Sequence, residues 1–121
     1  MVSIMISDLS LVSGVPEGTD WTLIMKDLPA EIDVFVDEKS INRIPDNVVR
    51  AWIKYRYSTP RSFDSKYIKE LVVHNEYYCS EGKYKILHSE AYFTDGTHET
   101  DFSERQGYIL SGDAAYKYLC K

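Results

Sequence analysis

Two cysteines, three histidines and two tryptophans are all that this chain of 121 residues holds of those types. Cys79 and Cys120 lie too far apart for a CxxC redox motif or a zinc-finger pair. On spacing alone, a disulfide and two free thiols both remain open. Phosphate-binding glycine motifs are absent, as is the G-x-S-x-G of serine hydrolases. No apolar run approaches the ~20 residues of a membrane-spanning helix. Basic residues are too few to balance the acids: 14 Lys and Arg against 19 Asp and Glu leave a net charge of −5. That field repels phosphate backbones, so nucleic acid is not an expected partner. Nothing in these absences leaves a catalytic site, and the chain is expected not to be an enzyme.

What is present is aromatic and β-prone. Ten tyrosines and 44% hydrophobic residues suffice for a buried core. The length fits one domain. Residues 1–20 differ from the rest, having three acids and no Lys or Arg. Asp8 interrupts their apolar stretch and nothing basic precedes it, so they do not read as a signal peptide. They are expected to be a partly disordered extension, with the domain at 21–121.

From Trp21 the period is two. Strands are expected at 21–26, 31–37, 47–58, 67–79, 83–94 and 97–103. The third is the clearest. Val49, Ala51, Ile53, Tyr55 and Tyr57 share one face, and Arg50, Trp52, Lys54 and Arg56 share the other. Pro29 marks a turn, Thr59-Pro60 is expected to end the third strand, and 38–47 reads as one long turn. Gly82 marks a hairpin, and Asp95-Gly96 predicts a type I′ turn. Near the end the period becomes helical. Ser111 is a candidate N-cap, and Ala115, Tyr116, Leu119 and Cys120 form a stripe with Asp113 and Lys117 spaced for an ion pair. The expectation is an α+β fold: an antiparallel meander of about six strands with one C-terminal helix packed on one face.

Three clusters are candidates for chemistry. If Cys79 faces Lys83 across the hairpin, His74 falls opposite His88, a pairing that can begin a metal site. No third ligand is identifiable, so no metal or other cofactor is expected. The row Arg50, Trp52, Lys54 and Arg56 interleaves cations with an aromatic ring, which suits a binding face. Residues 48–69 carry six cations against Asp64, and 90–105 carry five acids against Arg105. These segments either offer a basic surface to an acidic or glycan partner or neutralise each other across the sheet.

The ordered words Trp21, VFVDEKSI (34–41), NVVRAWIKYRY (47–57) with Pro60, YIKELVVHNEYYC (67–79), KYKIL (83–87) and YLCK (118–121) resemble the surface-adhesin protein E family. The resemblance spans about 21–121. It implies an antiparallel sheet of about six strands with a C-terminal helix on its concave face. It also implies a tether between helix and sheet, here Cys79–Cys120. Members are exported, often as lipoproteins, to the periplasm or outer-membrane surface. The namesake is an adhesin that engages host extracellular-matrix proteins and can dimerise. A protein partner, a membrane reached only through a lipid anchor, and a homodimer are therefore implied. Residues 108–111 depart from the family, reading Tyr-Ile-Leu-Ser where Trp and Pro are expected. A periplasmic module holding a small ligand between sheet and helix is the second function considered.

Overall fold

The structure, a computed structural model, describes residues 20–27, 31–110 and 112–121. Expectations for the extension up to residue 19, for the turn at Pro29 and for Ser111 as a cap lie outside the described residues. The strands are β1 (Trp21–Asp27), β2 (Ile32–Asp37), β3 (Asn42–Ile44), β4 (Val48–Phe63), β5 (Lys66–Tyr78), β6 (Lys83–Phe93), β7 (His98–Asp101) and β8 (Arg105–Tyr108). One helix, α1 (Ala114–Leu119), follows. All the described strands join one open antiparallel sheet, whose main path runs β1-β2-β4-β5-β6-β7. This path is the expected six-strand meander. The two further strands are short: β3 pairs with β4 beyond the end of β2, and β8 pairs with β6 beyond the end of β7.

Three local expectations are corrected. The stretch 38–47 is not one turn. It holds a 3-10 turn at Glu38–Ser40, then β3, then a tight return in which Asp46 and Asn47 both adopt positive φ. Three residues are too few to show a period, which hid β3 from the sequence. Thr59-Pro60 does not end β4, which continues to Phe63. Pro60 is tolerated because β2 pairs no further than Tyr57, and the ladder to β5 is interrupted between Arg56 and Arg61. A missing N–H breaks nothing there. The turn at Asp95-Gly96 is not type I′, since Gly96 has φ +88 while Asp95 is not among the positive-φ residues. Phe93 N donates to Thr97 O and Gly96 N to Phe93 O, which is a three-residue loop ending in a left-handed glycine.

The core lies between one sheet face and α1. Val34, Val36, Val49, Ala51, Ile53, Val73 and Tyr77 pack against Ala115 and Leu119 of the helix. This is the apolar face expected of β4. A six-residue helix is marginal alone, and here it is pinned throughout. Asp113 caps it by accepting from Tyr116 N at 2.8 Å, which occupies the carboxylate expected to pair with Lys117. Tyr116 Oη donates to Cys79 O at 2.7 Å, Arg43 Nη1 donates to Leu119 O at 2.9 Å, and Tyr118 Oη bonds the Glu38 carboxylate. Cys79 and Cys120 are bonded, with Cα atoms 5.4 Å apart. The register makes this possible. Tyr78, not Cys79, pairs with Lys83, so Cys79 stands in the turn just outside the ladder and is free to reach the helix. No described helix is long and apolar enough to cross a membrane.

Candidate functional site

The face of the sheet turned away from α1 carries the polar positions of the alternation. Its central row on β4 is Arg50, Trp52, Lys54 and Arg56. Directly opposite on β5 stand Glu76, His74, Val72 and Glu70. Arg50 Nε donates to Glu76 at 2.6 Å and Arg56 Nε to Glu70 at 3.1 Å. The cations of residues 48–69 therefore find their acids mainly on β5. Lys66–Asp95 at 3.6 Å is a link between the two charge-segregated segments. The arginine side chains remain accessible, 43% and 50% exposed. At this exposure each pair adds little to stability.

Trp52 is different from its neighbours in the row. Only 7% of it is exposed. His74 stacks on its indole with ring centroids 4.7 Å apart, and His88 meets it edge-on at 5.3 Å. The two histidines are paired across β5 and β6, as the sequence suggested. The pairing arises through a bulge, since Asn75 faces Ile86 while His74 faces His88. Among the described residues no group of three His, Cys, Asp or Glu side chains is arranged to hold a metal.

Toward β1 the row becomes aromatic. Lys54 Nζ lies 4.6 Å from the Trp21 ring centre and 5.2 Å from that of Phe35, and Arg56 lies 4.9 Å from Phe35. Burial holds the Lys54 ammonium below its usual range, with Glu70 opposing that shift and Arg56 adding to it. Sequence reasoning missed Trp21 and Phe35 as members of this cluster. Their signal was present in the register, which sets Phe35 opposite Lys54. With exposed Leu23 beside them, they make a patch in which cations lie over rings.

Toward β7 lies a second cluster that the sequence reading did not single out. Glu90 is fully buried. Its Oε2 is 2.8 Å from His88 Nε2, and its Oε1 accepts from Thr100 Oγ1 at 2.9 Å and lies 3.6 Å from His98 Nε2. Phe102, 65% exposed, packs edge-on over His88 at 4.3 Å. His88 and Glu90, two apart on one strand, share a face by parity alone; Thr100 reaches them only through the β6–β7 pairing.

Acid sensitivity follows from this face. Burial holds His74 below its usual pKa, and the nearby Arg50 and His88 reinforce that against the opposing pull of Glu76. The unfolded chain therefore takes up this proton more readily than the folded one. Stability from this source is constant above about pH 6.5 and falls as the pH drops below it. Glu76 acts in a lower window. Burial pushes it up, but hydrogen bonds from Tyr78 and Arg50 outweigh burial and leave it below the carboxylate norm. Its contribution is lost only below about pH 4. Denaturant unfolding between pH 7 and 5 should show a declining stability, flatter in His74→Gln. Equal slopes in the two proteins would remove His74 as the source.

The openings around α1 are shallow. Ala115 and Leu119 fill the contact with the sheet, and clefts of about 310 and 150 Å³ remain near the helix N-terminus.

A family model described as surface-adhesin protein E matches residues 21–121. Three solved structures of Haemophilus influenzae protein E share the fold. Crystal form II has a TM-score of 0.58 at 12% identity, covering 89% of this chain and 91% of that one. A selenomethionine form has a TM-score of 0.54 at 11% identity, covering 88% and 86%. A third has a TM-score of 0.54 at 13% identity, covering 89% and 87%. No curated protein matches the sequence.

Proposed function

This chain belongs to the surface-adhesin protein E family, and from that premise we propose that it is a non-enzymatic, exported binding module of the bacterial cell envelope. Its partner is a protein, and the docking face is the sheet face away from α1. The observation that carries this reading is the row Arg50, Lys54 and Arg56, its two arginines accessible and Lys54 and Arg56 lying over the rings of Trp21 and Phe35 beside exposed Leu23, with Trp52 as its rigid floor. Interfaces favour arginine and aromatic rings anchored on a firm base. On the opposite face the helix covers the part over β1, β2 and β4, where Ala115 and Leu119 are buried in the core.

The test is adhesion of beads bearing the domain to an array of immobilised extracellular-matrix proteins. The double variant Lys54→Glu/Arg56→Glu should lose binding by at least about tenfold, the scale of a lost hot spot. Lys117→Glu, on the helix, should bind as the parent does. Equal adhesion by the two variants would show that the face is not used. The measurement also separates this reading from a small-ligand module, which would adhere to none of the immobilised proteins.

A further inference from the structure

Lys69 is bulged out of two ladders at once. On the β4 side, Arg56 pairs with Glu70 and Arg61 with Ile68, so residues 57–60 face Lys69 alone. On the β6 side, Tyr92 pairs with Glu70 and Phe93 with Ile68, which again leaves Lys69 without a partner. A bulge re-aims a side chain and sharpens the local twist. Two coincident bulges in the middle of a sheet interrupt hydrogen bonds on both sides of one residue. Here they open a cleft of about 430 Å³ lined by Arg56, Tyr57, Lys69, Glu70 and Tyr92.

The lining has a definite chemistry. Lys69 is exposed and makes no ion pair among the described residues. Arg56 commits its Nε to Glu70 at 3.1 Å. Both tyrosine rings are held: Arg61 lies 5.0 Å from the centre of Tyr57, and Tyr92 stacks on His98 at 5.3 Å. Burial raises the pKa of both phenols, so they stay neutral. The cleft thus presents two cations, two ring faces and one carboxylate acceptor.

We propose that this cleft is a binding site for an acidic saccharide unit. The anion of the sugar, carboxylate or sulfate, is held by Lys69 and Arg56. The C–H face of the ring packs on a tyrosine, and the ring hydroxyls donate to Glu70. Glu70 is what separates this ligand from an acidic peptide. A second carboxylate close to Glu70 is repelled, whereas a sugar carries hydroxyl donors beside its charge. The site shares Arg56 with the docking row but uses neither Arg50 nor Lys54, and its test at Lys69 leaves that row unchanged, so the two readings fail separately. The chain can hold it despite its net charge of −5 because the β4–β5 segment is locally basic.

The test is calorimetric titration of the intact chain with four probes: a heparin hexasaccharide, a hexauronate, neutral isomaltohexaose and hexaglutamate. At least one of the two acidic saccharides should bind. The neutral sugar and the peptide should bind at least about tenfold more weakly. Lys69→Ala should weaken the acidic saccharide by about tenfold or more, the scale of one lost contact to a charge. Lys117→Ala should leave the affinity within about twofold, as expected for a charge away from the cleft. Lys69 is exposed and outside both ladders, so its truncation leaves the fold intact, which circular dichroism will verify. Heparin alone binding identifies sulfate as the anion; the uronate binding as well shows that a carboxylate suffices. Failure of both acidic saccharides, equal binding of hexaglutamate, or an unchanged Lys69→Ala variant would overturn the assignment.

Discussion

Replacing both cysteines, as Cys79→Ser with Cys120→Ser, is expected to cost about 4 kcal/mol of folding stability. The bond closes a loop between residues 41 apart, and in the chain-entropy account a loop of that length removes about that much freedom from the unfolded chain. The total stability of a domain this size is about 5–15 kcal/mol, so the loss is a large share of it. The helix should be the first element released. Tyr116, Leu119 and Tyr118 hold it to Cys79, to Arg43 and to the Glu38 carboxylate, but all three contacts lie within reach of the same bridge. Thermal unfolding with and without reductant should show a melting temperature lower by about 15 °C or more when the bond is absent. Near-ultraviolet circular dichroism should change before the strand signal does, because the tyrosines around the helix lose their fixed packing. A shift of only a degree or two would mean that packing and these hydrogen bonds hold the helix to the sheet without the bridge.

The second large effect is expected at Glu90. Its carboxylate is fully buried and satisfied on both oxygens, by His88 on one side and Thr100 on the other. Glu90→Ala leaves those two groups facing a void and should destabilise by about 3 kcal/mol. Glu90→Gln keeps the volume and one acceptor for Thr100, so about 1 kcal/mol is expected. Equilibrium unfolding in urea measures both. The β6–β7 pairing at residues 89–92 and 98–101 depends on the same cluster. Amide exchange should therefore accelerate along β7 in the alanine variant and leave β2 unchanged. If the two variants cost the same, the carboxylate is not the group that ties these strands.

Part of this architecture was legible residue by residue. The alternation in 49–57 located β4, assigned its apolar face, and put Arg50, Lys54 and Arg56 opposite. The helix was visible in the spacing of Ala115 and Leu119, though its cap proved to be Asp113. The elements that escaped were the three-residue β3 and the four-residue β8, each shorter than a period can reveal. Pro60 misled because its cost depends on whether a neighbouring strand needs its N–H, and no neighbour does. The histidine pair was anticipated through a register that holds only beyond a bulge in β6.

The sequence by itself determined where the six strands of the meander lie, which face of β4 is apolar, and that these six pair antiparallel in order. These follow from local sterics and short turns, which act over a few residues. Where the strands slip relative to one another was decided only in the tertiary structure. A bulge costs a local hydrogen bond and is retained when packing elsewhere repays it, so its place is set by the whole sheet. That is why Lys69 stands outside two ladders, why Glu90 meets Thr100 and His98, and why Trp21 and Phe35 gather around Lys54. Each of these sites is made by the register between neighbouring strands, which no periodicity within one strand records.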